Sequence, residues 1–76
     1  MVPSAQVVKI EAEQRRQLEA LARSRTAPIR QVQRARIVLG AADGMSNAAI
    51  ARALSIQVNT VRTWRGRFAE HGMAGL

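Results

Sequence analysis

The chain has no cysteine and no tyrosine, one tryptophan, one phenylalanine and two prolines in 76 residues. Without cysteine there is neither a disulfide framework nor a thiolate metal site, so packing alone has to hold the fold. The scarcity of aromatics removes side chains that usually mark strands, while the abundant Ala, Arg, Gln, Glu and Leu favour helix. No apolar run approaches the roughly 20 residues needed to cross a bilayer. The segment from Met1 to Ile10 has no basic stretch ahead of an apolar one, which argues against a secretory signal. These absences describe one small, soluble, cytoplasmic all-α domain. At this length a chain buries only about 60–65% of its unfolded surface, so its core must be compact.

Acidic residues are also few, at five against twelve basic ones, for a net charge of +7. The imbalance is not uniform. Residues 1–24 carry Lys9, Arg15, Arg16 and Arg23 against Glu11, Glu13 and Glu19, whereas residues 25–76 carry eight arginines against Asp43 and Glu70. Eleven of the twelve basic side chains are arginine, whose planar fork fits phosphate and guanine edges better than the point charge of lysine. A solvated surface kept for solubility would not require this concentration in one half. No helix pairs a basic face with a large aromatic one, so a membrane surface is not the expected partner.

Periodicity predicts four helices. Residues 1–9 show none and read as a flexible arm, leaving 10–76 as the domain. The first helix spans about 11–24, with Ala12, Leu18, Leu21 and Ala22 as its apolar stripe and no Ser, Thr or Asp to cap it. The second spans about 28–43, with Pro28 in its first turn, Ala27 at the cap and Gly44 just beyond the end. Val32, Ala35, Val38, Leu39 and Ala42 form its apolar face. Ser46 suits the cap of a third helix over 47–54. The fourth spans 58–71, ending at Gly72, and Met73 to Leu76 read as the start of a further element. Met45 and Met73 read as packing residues, and His71 is assigned no chemistry.

The last two helices carry the functional signal. Ile50, Ala51 and Leu54 mark one side of a two-turn helix, and Ser55 and Ile56 form a short joint. Val61, Trp64 and Phe68 mark the inner side of the next helix. This is the pattern of a helix-turn-helix, whose second helix enters the DNA major groove. At about 100° per residue, Gln57, Asn59, Thr60, Arg62 and Thr63 are the outward residues of that helix's first half. Asn and Gln can pair with adenine, Thr offers a hydroxyl and a methyl, and Arg can grip guanine, so these five are the candidate base readers. Arg30, Arg34, Arg36, Ser46, Arg52, Arg65 and Arg67 are the candidate phosphate contacts. Trp64 shares the apolar face and reads as core, not as a stacking platform. Three features run against the pattern: Ser55 where the joint favours glycine, Gln57 where a hydroxyl would cap better, and Gly66 inside a helix at a cost of up to about 1 kcal/mol.

The run RARIVLGAADGMSNAAIARALSIQVNTVRTWRGRFAEHGMAGL resembles the N-terminal domain of bacterial insertion-sequence transposases of the mariner-like superfamily. The likeness spans Gln33 to Leu76 almost without gaps, and with LEALARSRTAP it covers residues 10–76. Ser55, Gln57, Gly66 and Glu11 depart from the family's usual glycine, hydroxyl cap, arginine and Ser or Thr cap. The resemblance implies a small homeodomain-like helix-turn-helix bundle of three helices plus one extra N-terminal helix. It also implies nucleoid-associated binding to the terminal inverted repeats of a mobile element. In that family three acidic metal ligands lie in a downstream RNase H-like domain. No such constellation occurs in these 76 residues, so neither catalysis, a metal, a cofactor nor a small-molecule ligand is expected of them.

Two other readings fit the sequence. A stand-alone helix-turn-helix transcriptional regulator would bind double-stranded DNA as a homodimer, and the N-terminal helix, through Leu18 and Leu21, would supply its interface. A protein-interaction bundle would bind no nucleic acid at all. Charge alone would allow RNA binding, but the sequence shows no aromatic platform or loop motif for single strands.

Overall fold

A computed structural model describes residues 8–76. The arm expected at 1–9 lies outside that range except for its last two residues, of which Val8 is buried among core side chains while Lys9 is exposed. Four helices follow: α1 (Ala12–Ala22), α2 (Ile29–Ala42), α3 (Asn47–Leu54) and α4 (Val58–His71), then a 3₁₀ turn over Gly72–Gly75. No strand occurs among the described residues. Helices α3 and α4 occupy the spans that periodicity predicts. Helices α1 and α2 are each shorter at both ends than predicted.

The helix ends explain these boundaries. At α1 the backbone N–H of Glu11 donates to Gln14 Oε1 at 3.0 Å, and the pair completes a capping box without any hydroxyl residue. Pro28 is the cap of α2 and not its first helical residue, with φ −55° and ψ 140°, and its carbonyl accepts from the N–H groups of Gln31 and Val32. The expected cap, Ala27, belongs instead to the preceding turn, where its N–H donates to Ser24 Oγ at 2.9 Å. Ser46 Oγ accepts from the Ala49 N–H at 3.1 Å and caps α3. Gly44, at φ 88°, closes α2 with a pair of bonds, Met45 N–H to Gly40 O and Gly44 N–H to Ala41 O.

Helix α2 is the hub, packing against α1, α3 and α4. Three neighbours require a wide apolar arc, and its buried residues are Ala35, Ile37, Val38 and Ala41. The apolar face expected from the sequence, Val32, Ala35, Val38, Leu39 and Ala42, did not include Ile37 and Ala41. Leu18, Ile37, Val38, Ile50 and Val61 are the largest fully buried side chains. Gly40 lets α3 come close, since a Cβ there would lie 3.1 Å from Ile50 Cγ1. The final turn folds back on α4, with Met73 and Leu76 against the core, so these residues close the bundle.

Two arginines tie α1 down. Arg36 Nε and Nη2 donate to the Ala22 carbonyl at 3.2 and 3.1 Å, satisfying the C-terminal end of α1. Arg15 Nη2 donates to Asp43 Oδ1 at 2.7 Å, and that hydrogen bond holds the Arg15 guanidinium above its ordinary pKa. Leu18 is wholly buried beneath α1, while Glu13, Arg16, Gln17 and Ala20 face solvent. Of the stripe expected to pair two copies, Leu18 and Ala22 are buried within the chain's own core and Leu21 is half-buried against it, while Glu13, Arg16, Gln17 and Ala20 form an outward face.

Candidate nucleic-acid interface

The turn between α3 and α4 sets the reading helix. Ser55 has φ 58° and ψ 47°, the one non-glycine residue with positive φ among those described. Its N–H donates to Arg52 O at 3.3 Å, and the Ile56 N–H donates to Ala51 O at 3.0 Å. This paired closure needs a left-handed residue, which serine adopts at a cost of about 1 kcal/mol. Gln57 then caps α4 in extended conformation. Its carbonyl accepts from Thr60 and Val61, while its side chain makes no capping hydrogen bond and stands exposed.

Val61, Arg65 and Phe68 are the buried residues of α4. At about 100° per residue, Asn59 and Thr63 lie on the opposite side. Arg62 lies on one flank, and Thr60, Trp64 and Arg67 lie on the other. Gln57, Asn59, Arg62 and Thr63 are exposed, and Thr60 is half-buried. The outer face of the first two turns thus presents an amide pair, a hydroxyl and a guanidinium, the donor and acceptor types that distinguish base edges in the major groove.

Two expectations about α4 are corrected. Arg65 is not a surface residue available to phosphate, being 6% exposed. Its Nη1 donates to Met45 O at 2.8 Å and to Asn47 Oδ1 at 3.0 Å. Burial pushes its pKa below the ordinary arginine value, though the side chain remains a cation at neutral pH. Arg65 therefore locks α4 to the start of α3, with Asn47 as the buried acceptor that holds the reading helix in place. Trp64, expected in the core, is only half-buried. It packs against the core, while the Arg34 guanidinium lies over its ring at 3.7 Å from the centroid, with that of Arg67 at 5.1 Å.

The remaining basic candidates divide by direction. Arg30 is one helical turn from Arg34 and shares its face of α2, beside α4. Arg52 is exposed on the last turn of α3. Ser46 is exposed, and its hydroxyl already serves the cap as an acceptor, leaving its proton to donate. Arg36 is the third correction. It lies about 200° around α2 from Arg34, turned toward α1, where the Ala22 carbonyl engages it. The basic surface beside α4 is thus built from Arg30, Arg34, Arg62 and Arg67, with Arg52 exposed on α3.

Residues 28–76 match the sequence profile of the homeodomain-like domain, a helix-turn-helix family. The chain belongs to that family. It is a helix-turn-helix DNA-binding domain in which α2, α3 and α4 form the homeodomain-like trio. Helix α1 precedes the matched region and adds Leu18 and Ala22 to the core. No curated protein and no solved structure shows significant similarity to the chain. No helix among the described residues of this homeodomain-like domain is long and apolar enough to cross a membrane.

Proposed function

We propose that this domain recognises double-stranded DNA by sequence and acts as the end-recognition module of a transposase, at the terminal inverted repeats of a mobile element. The exposed cluster Gln57, Asn59, Arg62 and Thr63 on α4, flanked by Arg30, Arg34 and Arg67 and joined by the exposed Arg52 of α3 as a further cation, carries the DNA-reading part of this proposal. Four groove-type side chains on one helix face, with cations on both sides, suit base contacts framed by phosphate contacts. The assignment to transposon ends rests on the resemblance of Gln33 to Leu76 to insertion-sequence transposases.

In this reading Asn59 and Thr63 face the groove floor, and Gln57 and Arg62 reach bases at its edges. Arg30, Arg34, Arg52 and Arg67 neutralise the backbone on either side. The role is binding alone, with no cofactor, metal or small-molecule ligand, in the cytoplasm on nucleoid DNA.

Selection from a random duplex pool tests it. Enrichment of one motif that recurs, inverted, at the two flanks of the encoding gene is the expected result. A palindromic motif found only upstream of genes, bound by a protein dimer, would transfer the domain to the transcriptional-regulator class. Absence of any duplex binding at low salt would remove the DNA reading altogether.

A further inference from the structure

Trp64 is the sole tryptophan, and two cations lie over its ring. Arg34 reaches it from α2 and Arg67 from the next turn of α4. Neither guanidinium forms a hydrogen bond or an ion pair with another described residue, in contrast to Arg15, Arg36 and Arg65. Two like charges on one ring repel, and the π-face offsets that only in part. A guanidinium held over indole by its π-face keeps its N–H groups available for bidentate phosphate binding. Arg34 and Arg67 thus meet at Trp64, on the flank of α4 that adjoins Thr63.

We propose that Trp64 is the platform of a two-arginine clamp, formed by Arg34 and Arg67, that grips one phosphodiester of the duplex backbone beside the groove read by α4. The proposal rests on the DNA-binding reading above and deepens it. Trp64 acts as a positioning residue, holding two flexible side chains in their bound arrangement and so lowering the entropy lost on binding. The phosphate's charge relieves the repulsion between the guanidinium groups. The clamp fixes the angle of α4 in the groove without reading a base, so its strength is the same for every sequence.

The full chain supplies its own probe, because all tryptophan emission comes from Trp64. Duplex DNA should change that emission in step with binding measured independently by electrophoretic shift. Arg34→Ala and Arg67→Ala should each weaken duplex binding about tenfold, whatever the sequence, and each should lower the salt slope. Because both arms hold one phosphate, the double variant should lose much less than the product of the single losses. Trp64→Leu should weaken binding with both arginines still present, and in that background Arg34→Ala should add little. Trp64→Phe, which keeps a ring, should recover part of the loss. Thermal melts identify variants that merely unfold. If one does, the two arginine variants decide alone.

Wild-type affinity and salt slope in both arginine variants, while the parent binds duplex, would overturn the clamp and leave the DNA-binding reading intact. Failure of the parent to bind any duplex would defeat that reading and the clamp with it. Inorganic phosphate at matched ionic strength separates the two anion sources. Saturation of the Trp64 response by low phosphate concentrations, with no further response to duplex, would assign the pair to a free anion and overturn the clamp.

Discussion

Arg65 of the reading helix donates from Nη1 to Asn47 Oδ1 across 3.0 Å, and both residues are almost wholly withdrawn from solvent. The same nitrogen also meets the Met45 carbonyl at 2.8 Å. One guanidinium therefore ties the loop before α3, the first residue of α3 and the middle of α4 into a single unit. No buried side-chain polar atom among the described residues lacks a partner, so the arrangement is fully satisfied.

Asn47→Ala should destabilise the domain by about 1–3 kcal/mol, because it removes one acceptor from a buried cation. For a domain of this size each kcal/mol corresponds to a melting shift of about 4–8 °C. Arg65→Leu should be at least as damaging, since Met45 O and Asn47 Oδ1 both lose their donor. A thermal melt of each variant checks this, and melting midpoints equal to the parent's would show that the lock contributes nothing.

Ser55→Gly should act in the opposite direction. It relieves the left-handed strain at φ 58° and should add up to about 1 kcal/mol, partly offset by the greater freedom of glycine in the unfolded chain. DNA affinity should not fall, because the angle between α3 and α4 is unchanged. Denaturant midpoints read the effect, and a lower midpoint for the glycine variant would contradict the strain assignment.

Gly75→Ala should loosen the final turn. A Cβ at this position would stand 2.8 Å from the Arg67 carbonyl oxygen and 3.2 Å from His71 Cβ, and backbone cannot yield as a flexible side chain does. Overpacking of this kind costs about 1–3 kcal/mol. Faster amide exchange over residues 72–76, together with a lower melting midpoint, is the expected outcome.

Asn59→Ala and Arg30→Ala should separate reading from gripping. The first should flatten the base preference at one or two positions of the selected motif while non-specific binding persists. The second should weaken all duplexes alike and reduce the slope of log affinity against log salt by about 1. Equal fractional losses across every sequence for both variants would show that Asn59 does not read a base.

Much of this was legible beforehand. Helices α3 and α4 could be bounded because Ser46 caps one and glycine follows the other, with Ile50, Ala51, Val61 and Phe68 keeping a clear 3.6-residue period. Ser55 was recognisable as the strained position because the joint demands positive φ. Other features depend on partners distant in sequence. The periodicity of α4 set Arg65 within about 60° of Val61, but only the Met45 carbonyl and Asn47 make a buried cation tolerable there. Arg36 looks like any surface arginine until Ala22 presents an open carbonyl. Ile37 and Ala41 became core because α2 has three neighbours. The Glu11–Gln14 capping box was within reach of sequence, had Gln three residues after a carboxylate been given the weight of a hydroxyl cap.

The recognised family begins at residue 28, yet physical cohesion does not. Leu18 and Ala22 of α1 belong to the core that α2 centres, and Arg36 and Asp43 each fasten to α1 across the intervening loop. A chain started at residue 28 would keep every candidate base reader and still open one side of its central helix to water. The inherited motif and the cooperative folding unit thus have different edges. Heritable change in the stretch ahead of the motif acts on DNA affinity through the fraction of molecules that are folded, even where every candidate base reader is untouched.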